Sequence, residues 1–411
     1  RHYGDYRPGN FASGFIGPVS ASEALATSLN LPAVQLLEAY GPKRFAGELR
    51  SAGLPIRLPP LAEPNLALIL GGGGSRLESL VAGYSAFARG GMAARPRLQP
   101  DDELRERRLL SPGSAWIIRR ILSGQARPDR DPRAQLAQRP TLAWKTGTSY
   151  GFRDAWAIGV GPRHLIGVWI GRPDGTPVPG QFGLASAAPL LLQVHDLLVN
   201  RDSQRGIAAP PDPQPAEVGV AAICWPLGQP LSRDDPNCRR LRFAWTLEGT
   251  TPPTLLAADQ PLGSGLRERY WLNAEGRRVG PGCDGAEAHE LVLWPAPLEP
   301  WLPRRERRAV RLPAIDPGCP PLRSSQVAPL SIVGVRDGDR LRRPQGSHAS
   351  LRLSLSALGG SGRRWWFLDG QPLGDSAPDA PFSHAFGSGR HQLSVLDDGG
   401  QTARLEFSVG P

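Results

Sequence analysis

The chain has 411 residues, with 48 Lys and Arg against 38 Asp and Glu and a formal net charge of +10. At roughly 100 to 200 residues per domain, that length makes two to four domains and a sizeable core. The basic residues are scattered among carboxylates. Their densest run, RRERR at 304–308, is short and reads as a solvated connector, so nucleic acid is not expected as a partner. Of the 48 basic residues only Lys43 and Lys145 are lysines, which makes the surroundings of each informative.

In chain order, the start RHYGDYRPGNF is rich in turn residues, and no signal peptide or 20-residue apolar span is present. The expectation is a fragment whose N-terminal part, with any membrane anchor, lies outside it. SASEALATSLNLPAVQLLEAYG has apolar positions at helical spacing, a polar start and a closing Gly41, with Pro32 breaking it into two helices. RLESLVAGYSAFARGG and SPGSAWIIRRILSG read as two more helices, each opened by a capping residue and closed by glycine. TLAWKTGTS, DAWAIGVG and HLIGVWIG are short, aromatic and β-branched between glycine turns, the pattern of adjacent antiparallel strands. SAAPLLLQVHDLLVN closes this first region, 1–200, as a helix.

Residues 201–222 are proline-rich and read as a linker. Residues 223–320 hold all four cysteines, Cys224, Cys238, Cys283 and Cys319. No C-x-x-C pair or neighbouring histidine gives them zinc spacing, so no metal site is expected. Two disulfides in an oxidising compartment are expected, in a loop-rich β region. Of the three connectivities, proximity favours Cys224 with Cys238 and Cys283 with Cys319. Residues 321–411 alternate apolar and polar positions between D-G and G-G turns, which argues for a small β-sandwich. Alternation there should bury one of Trp365 and Trp366 and leave the other available as a glycan or protein contact. The sequence has no fixed-period repeat.

KTGTS concentrates an ammonium, a glycine and three hydroxyls. Strand alternation puts Lys145, Gly147 and Ser149 on one face and Thr146 and Thr148 on the other. An edge strand of this kind can pair with an extended peptide, bare Gly147 allowing close approach while ammonium and hydroxyls hold a carboxylate. Arginine could bind the anion, but its guanidinium does not release a proton, whereas a lysine's pKa follows its surroundings. Ser28 and Asn30, in SLN, offer a hydroxyl and a carboxamide that could join Lys145 in a proton relay or could cap the following helix. In GFRDAW, Arg153 and Asp154 read as a hairpin ion pair or turn cap rather than chemistry.

SLN followed about 115 residues later by KTGTS resembles two of the three signature motifs of penicillin-binding proteins and serine β-lactamases. The blocks ALATSLNLPAVQLL, LESLVAGYSAFARGG, AWKTGTSYGFRDAWAIGV and GVWIGRPDG look like the transpeptidase domain of the bifunctional class A penicillin-binding proteins, one type of which carries a C-terminal immunoglobulin-like module. The fold implied is α+β: a penicillin-binding/β-lactamase-like domain with an antiparallel sheet and its N-terminal part missing, then a disulfide-stapled β-rich region and a sandwich.

The resemblance implies a serine D,D-transpeptidase that cross-links peptidoglycan stem peptides through an acyl-enzyme. Ser28, Asn30 and Lys145 would be catalytic. Thr146, Gly147, Thr148 and Ser149 would bind substrate, with the Thr148 N–H as half of an oxyanion hole. The transpeptidase needs no cofactor; a divalent metal would serve only a glycosyltransferase domain upstream. Partners implied are stem peptides, lipid-linked precursor, β-lactam antibiotics with the intact parent, and cell-wall synthesis proteins, at the periplasmic face of the bacterial inner membrane. One element is absent: no S-x-x-K exists in the chain, since Leu142 and Tyr40 stand three residues before the two lysines. The 411 residues alone are therefore expected not to acylate. A non-catalytic cell-wall or protein-binding scaffold and a D,D-carboxypeptidase or β-lactamase are the other readings.

Overall fold

The computed structural model describes residues 9, 16–128, 142–230, 238, 240–251, 254, 266–294, 298, 301–319, 321, 330–342, 351–378, 380–398 and 400–410. The turn-rich start 1–11, Gly9 apart, lies outside them, as does Thr141 of the first strand block. The fold is mixed helix and sheet, as expected.

Helices α1 (Ala21–Ala26) and α2 (Asn30–Tyr40) form the predicted broken pair. The break falls at Ser28 and Leu29, not at Pro32. Pro32 sits in the first turn of α2, where its missing N–H has no intrahelical partner to lose. The N-cap of α2 is Leu29 and no side chain caps it, so neither Ser28 nor Asn30 serves as its cap. Helix α3 (Pro42–Ser51) and a 3-10 turn at Leu66–Leu70 follow, neither anticipated from the sequence. The next helices are α4 (Leu77–Ala88) and α5 (Pro112–Ser123). Ser111 caps α5 through the Ser114 N–H at 3.1 Å, but α4 starts from Arg76 with no side-chain cap, contrary to expectation. A small ribbon, β1 (Met92–Ala94) with β2 (Glu106–Arg108), lies between them.

Strands β3 (Ala143–Thr148), β4 (Asp154–Val160) and β5 (Leu165–Gly171) form an antiparallel sheet in that order. Helix α6 (Gly183–Gln204) covers one face, burying Ala187, Ala188, Leu191 and Leu192 against Leu142, Trp144, Ala155 and Ala157. The other face meets α1, α4 and α5 through Leu25, Tyr84, Phe87, Ile118 and Leu122 around Ala143 and Val160. The sheet is thus a middle layer between two helical layers, which explains its nearly continuous apolar sequence.

Next come β6 (Val218–Trp225), β7 (Gln229–Pro230) and β8 (Arg240–Leu247), ordered β7-β6-β8. They precede β9 (Arg267–Leu272), β10 (Arg278–Val279) and β11 (Glu287–Val292), ordered β10-β9-β11. Both disulfides pair as proximity favoured, Cys224–Cys238 and Cys283–Cys319. RRERR forms two short helical turns in which Arg308 pairs with Glu268, so it is not purely solvated.

The last strands are β12 (Ser331–Val333), β13 (Arg340–Arg342), β14 (Leu351–Leu358), β15 (Arg364–Leu368), β16 (Gln371–Ser376), β17 (Phe382–Phe386), β18 (Gly389–Asp397) and β19 (Thr402–Gly410). They make sheets β12-β14-β17 and β13-β19-β18-β15-β16, a sandwich around Leu355, Trp366, Phe386, Leu393 and Phe407. Trp366 is fully buried and Trp365 only partly so. Among the described residues no helix is long and apolar enough to cross a membrane.

Candidate active site

Lys145 and Ser28, 117 residues apart, meet directly. Nζ donates to the Ser28 Oγ at 2.5 Å and to the Thr146 carbonyl at 2.8 Å. The backbone brings Ser28 there by an unusual route. Helix α1 ends in a double turn, with the Ser28 N–H bonded to the Leu25 carbonyl at 3.2 Å and the Leu29 N–H to that of Ala24 at 2.9 Å. This is the helix stop that places its next residue in left-handed backbone, where glycine is usual. Ser28 occupies that position at φ 58°. A side chain there costs on the order of 1 kcal/mol, so the hydroxyl is retained against a local preference.

Alternation on β3 is as read from the sequence. Lys145 and Gly147 face the layer of α1, α4 and α5, and Thr146 and Thr148 face α6. Ser149 N–H bonds to the Asp154 carbonyl at 3.0 Å, which makes 149 and 154 a hydrogen-bonded pair. In an antiparallel ladder the next bonded pairs are Gly147 with Trp156 and Lys145 with Ile158, so the backbone groups of Thr146 and Thr148 point to the free edge of β3. That edge is closed at Trp144, whose carbonyl accepts from the Gln125 amide at 2.8 Å, and at Thr146 by Lys145. Among the described residues, none bonds the Thr148 N–H or C=O at the open part of that edge.

Desolvation pushes the Lys145 ammonium down from its ordinary 10.5 to about 8. No carboxylate stands in ion-pair contact with it among the described residues, so nothing offsets the loss of water. An amine poised there can hold positive charge or take a proton near neutrality. Lys43 pairs with Glu63 at 2.7 Å on an exposed surface.

Thr148 Oγ1 accepts from the Gly183 N–H at 3.0 Å, which fixes its rotamer and leaves its own proton to donate. A Cβ on Gly183 would come within 2.5 Å of the Gly147 carbonyl and 2.7 Å of that of Trp156. Gly183→Ala is expected to lift the start of α6 off the sheet and cost about 1–3 kcal/mol. A urea midpoint equal to wild type would show that this close approach is not needed. Gly147 differs: a Cβ there meets only the Trp156 Cβ at an ordinary 3.8 Å, so packing does not demand the glycine.

Asn30, in the first turn of α2, donates to the Gly9 carbonyl at 2.7 Å. The Ser149 hydroxyl is engaged in the hairpin, accepting the Asp154 N–H at 2.9 Å. The Asp154 carboxylate accepts from Trp169 Nε1 at 2.8 Å, rather than forming the ion pair or turn cap expected of it. Among the described residues Arg153 forms no ion pair. Sequence reasoning missed Gln125, Gly183 and Trp169, whose contacts with this site arise only in three dimensions.

The chain belongs to the class A penicillin-binding proteins. Within that class its similarities run to penicillin-binding protein 1C. Residues 217–246 match the family described as penicillin-binding protein 1C linker domain, 261–310 the penicillin-binding protein 1C second linker domain, and 319–407 the penicillin-binding protein C-terminus family. Penicillin-binding protein 1C of Escherichia coli is 54% identical over 99% of this chain and 52% of its own length. Penicillin-binding protein 1A of Clostridium acetobutylicum is 29% identical over 42% of this chain and 22% of its own. A crystal structure of penicillin-binding protein 1A from Haemophilus influenzae aligns over 60% of this chain and 42% of its own, with 18% identity and a TM-score of 0.48. The chain thus spans about half the length of the Escherichia coli relative.

Proposed function

We propose that the first 200 residues form part of a D,D-transpeptidase domain that cross-links peptidoglycan stem peptides. In this reading the S-x-x-K nucleophile is supplied by polypeptide outside these 411 residues. The observation that carries the reading is the 2.5 Å contact between Lys145 Nζ and Ser28 Oγ, which joins the two motifs at one point. Lys145 supplies positive potential for a terminal carboxylate and shares a proton with Ser28, which relays it toward the leaving amine. Asn30, whose carboxamide donates to the Gly9 carbonyl in this chain, orients the substrate in this reading. Thr146 and Thr148 hold the carboxylate, and the edge-facing Thr148 N–H stabilises the oxyanion, a kind of donor typically worth about 3–4 kcal/mol. Bare Gly147 keeps the strand accessible. The intact protein, in this reading, also bears a glycosyltransferase domain, uses lipid-linked precursor and works at the periplasmic face of the inner membrane.

Trace acetylation tests the site in the chain as it stands, because its two lysines can be followed separately by peptide mass spectrometry. A peptide ending in D-Ala-D-Ala should protect Lys145 and not Lys43, and the same peptide with an amidated C-terminus should protect neither. Lack of protection would sink the carboxylate site. Labelled penicillin should leave no covalent adduct on the 411-residue chain; an adduct would show that its nucleophile is present after all.

A further inference from the structure

We propose that Arg242, on linker strand β8, is a positioning residue for Ser28, so that the first linker completes the geometry of the Ser28–Lys145 pair. This rests on the reading that the pair is the working site.

Helix α1 is only six residues long. Isolated helices of that length do not persist in water, so its placement must come from contacts at its ends and along its buried side. Leu25 supplies the buried side against Leu122, Ala143 and Val160. Ser28 forms the C-terminal end, against Lys145. The N-terminal end is a capping box: Glu23 N–H bonds to Ser20 Oγ at 3.1 Å, and the Glu23 carboxylate accepts from the Ser20 N–H at 2.9 Å. The same carboxylate oxygen accepts from Arg242 at 3.4 Å, across 219 residues of sequence. The Ser20 backbone N–H is the main cause holding the Glu23 carboxyl below its ordinary range, with the Arg242 charge a smaller one, so the acceptor stays ionised at neutral pH.

Arg242 is itself fixed. Its guanidinium lies over the Trp225 ring at 4.2 Å, and Trp225 packs on Trp294 at 5.3 Å between centroids. Stacking and a planar fork orient an arginine in a way a flexible ammonium does not reproduce. Surface ion pairs add little to global stability, so the effect of this one is local: it sets the tilt of a short helix whose far end must keep a 2.5 Å contact. A second contact acts on the same segment. Gly17, just before α1, lies so close to Trp301 that a Cβ would meet its carbonyl at 3.2 Å. Linker residues thus hold the entry to α1 at two points.

The readout is the acetylation–pH profile of Lys145, with Lys43 as internal reference. Water admitted beside Lys145 restores its charged form and raises its midpoint. Wild type should show a midpoint near 8. Arg242→Ala should raise that midpoint by about one unit or more, with the Lys43 profile and the thermal midpoint unchanged. Arg242→Lys, which keeps the charge but not the fork, should recover part of the shift. Glu23→Gln should act in the same direction as Arg242→Ala without disturbing the Trp225 stack, and it decides the matter if Arg242→Ala fails to fold. An unchanged Lys145 profile in a folded Arg242→Ala or Glu23→Gln variant overturns the proposal, as does a shift that appears only with a lowered thermal midpoint. Peptide protection of Lys145 is a separate measurement, so failure here leaves the transpeptidase reading standing.

Discussion

Replacing Trp366 with alanine is expected to destabilise the C-terminal sandwich by about 3–5 kcal/mol, the usual cost of truncating a buried tryptophan. The indole is fully buried, stacks on Phe382 at 5.3 Å and 9° between planes, and donates from Nε1 to Ser376 Oγ at 3.1 Å. Alanine leaves a cavity between the two sheets and strands the serine hydroxyl. Trp365, one residue away, is only partly buried on the opposite face of β15. Its removal should cost no more than about 1 kcal/mol. Urea unfolding followed by near-ultraviolet dichroism separates the two. Equal costs would mean that strand alternation does not govern this pair. The face of β15 that carries Trp365 is partly occupied at Phe367, where Trp301 packs edge-on at 5.1 Å.

Much of the fold could be read in the chain because period-two alternation and turn residues are local signals. The strand pattern of β3 to β5 and of β14, β15, β18 and β19 follows from them, as does the burial of one of the two adjacent tryptophans; which one it is, Trp366, only the structure shows. The connectivity of the cysteines followed from simple proximity. Elements dictated by tertiary packing escaped: α3, whose PKRFAGELRS is mostly polar, and β17, whose FSHAF pairs with β14. Pro32 misled in position because a proline is as comfortable in a helix's first turn as at a break. For the candidate site, the motifs pointed to Ser28 and Lys145, which the structure brings into contact, and to Asn30, whose carboxamide donates to the Gly9 carbonyl. The left-handed backbone at Ser28, the Gly183 hydrogen bond to Thr148 and the reach of Arg242 to Glu23 were not legible, because each depends on segments far apart in sequence.

Lys145→Met is expected to stabilise the chain near neutral pH and to lose that advantage in alkali. In the folded chain burial lowers the lysine to about 8 from an ordinary 10.5. Between those values the folded state binds fewer protons than the unfolded one, so wild-type stability rises with pH through that window. Below it the full cost of desolvating an ammonium is present; above 10.5 both states are neutral and the cost is gone. Methionine carries no charge, so its stability has no such slope. At roughly 1.4 kcal/mol per pKa unit, the difference between the two proteins should change by about 2–4 kcal/mol across the window. Methionine also removes the donor to Ser28 Oγ and Thr146 O, at about 1 kcal/mol per lost bond. The variant should therefore be the more stable protein at neutrality and the less stable one in alkali. Comparing the two by urea unfolding at each pH cancels every other titrating group. A difference that stays flat from neutrality to the alkaline limit would mean that Lys145 is not desolvated. Its neutral form would then be rare at working pH, and Lys145 could not accept a proton from Ser28 there.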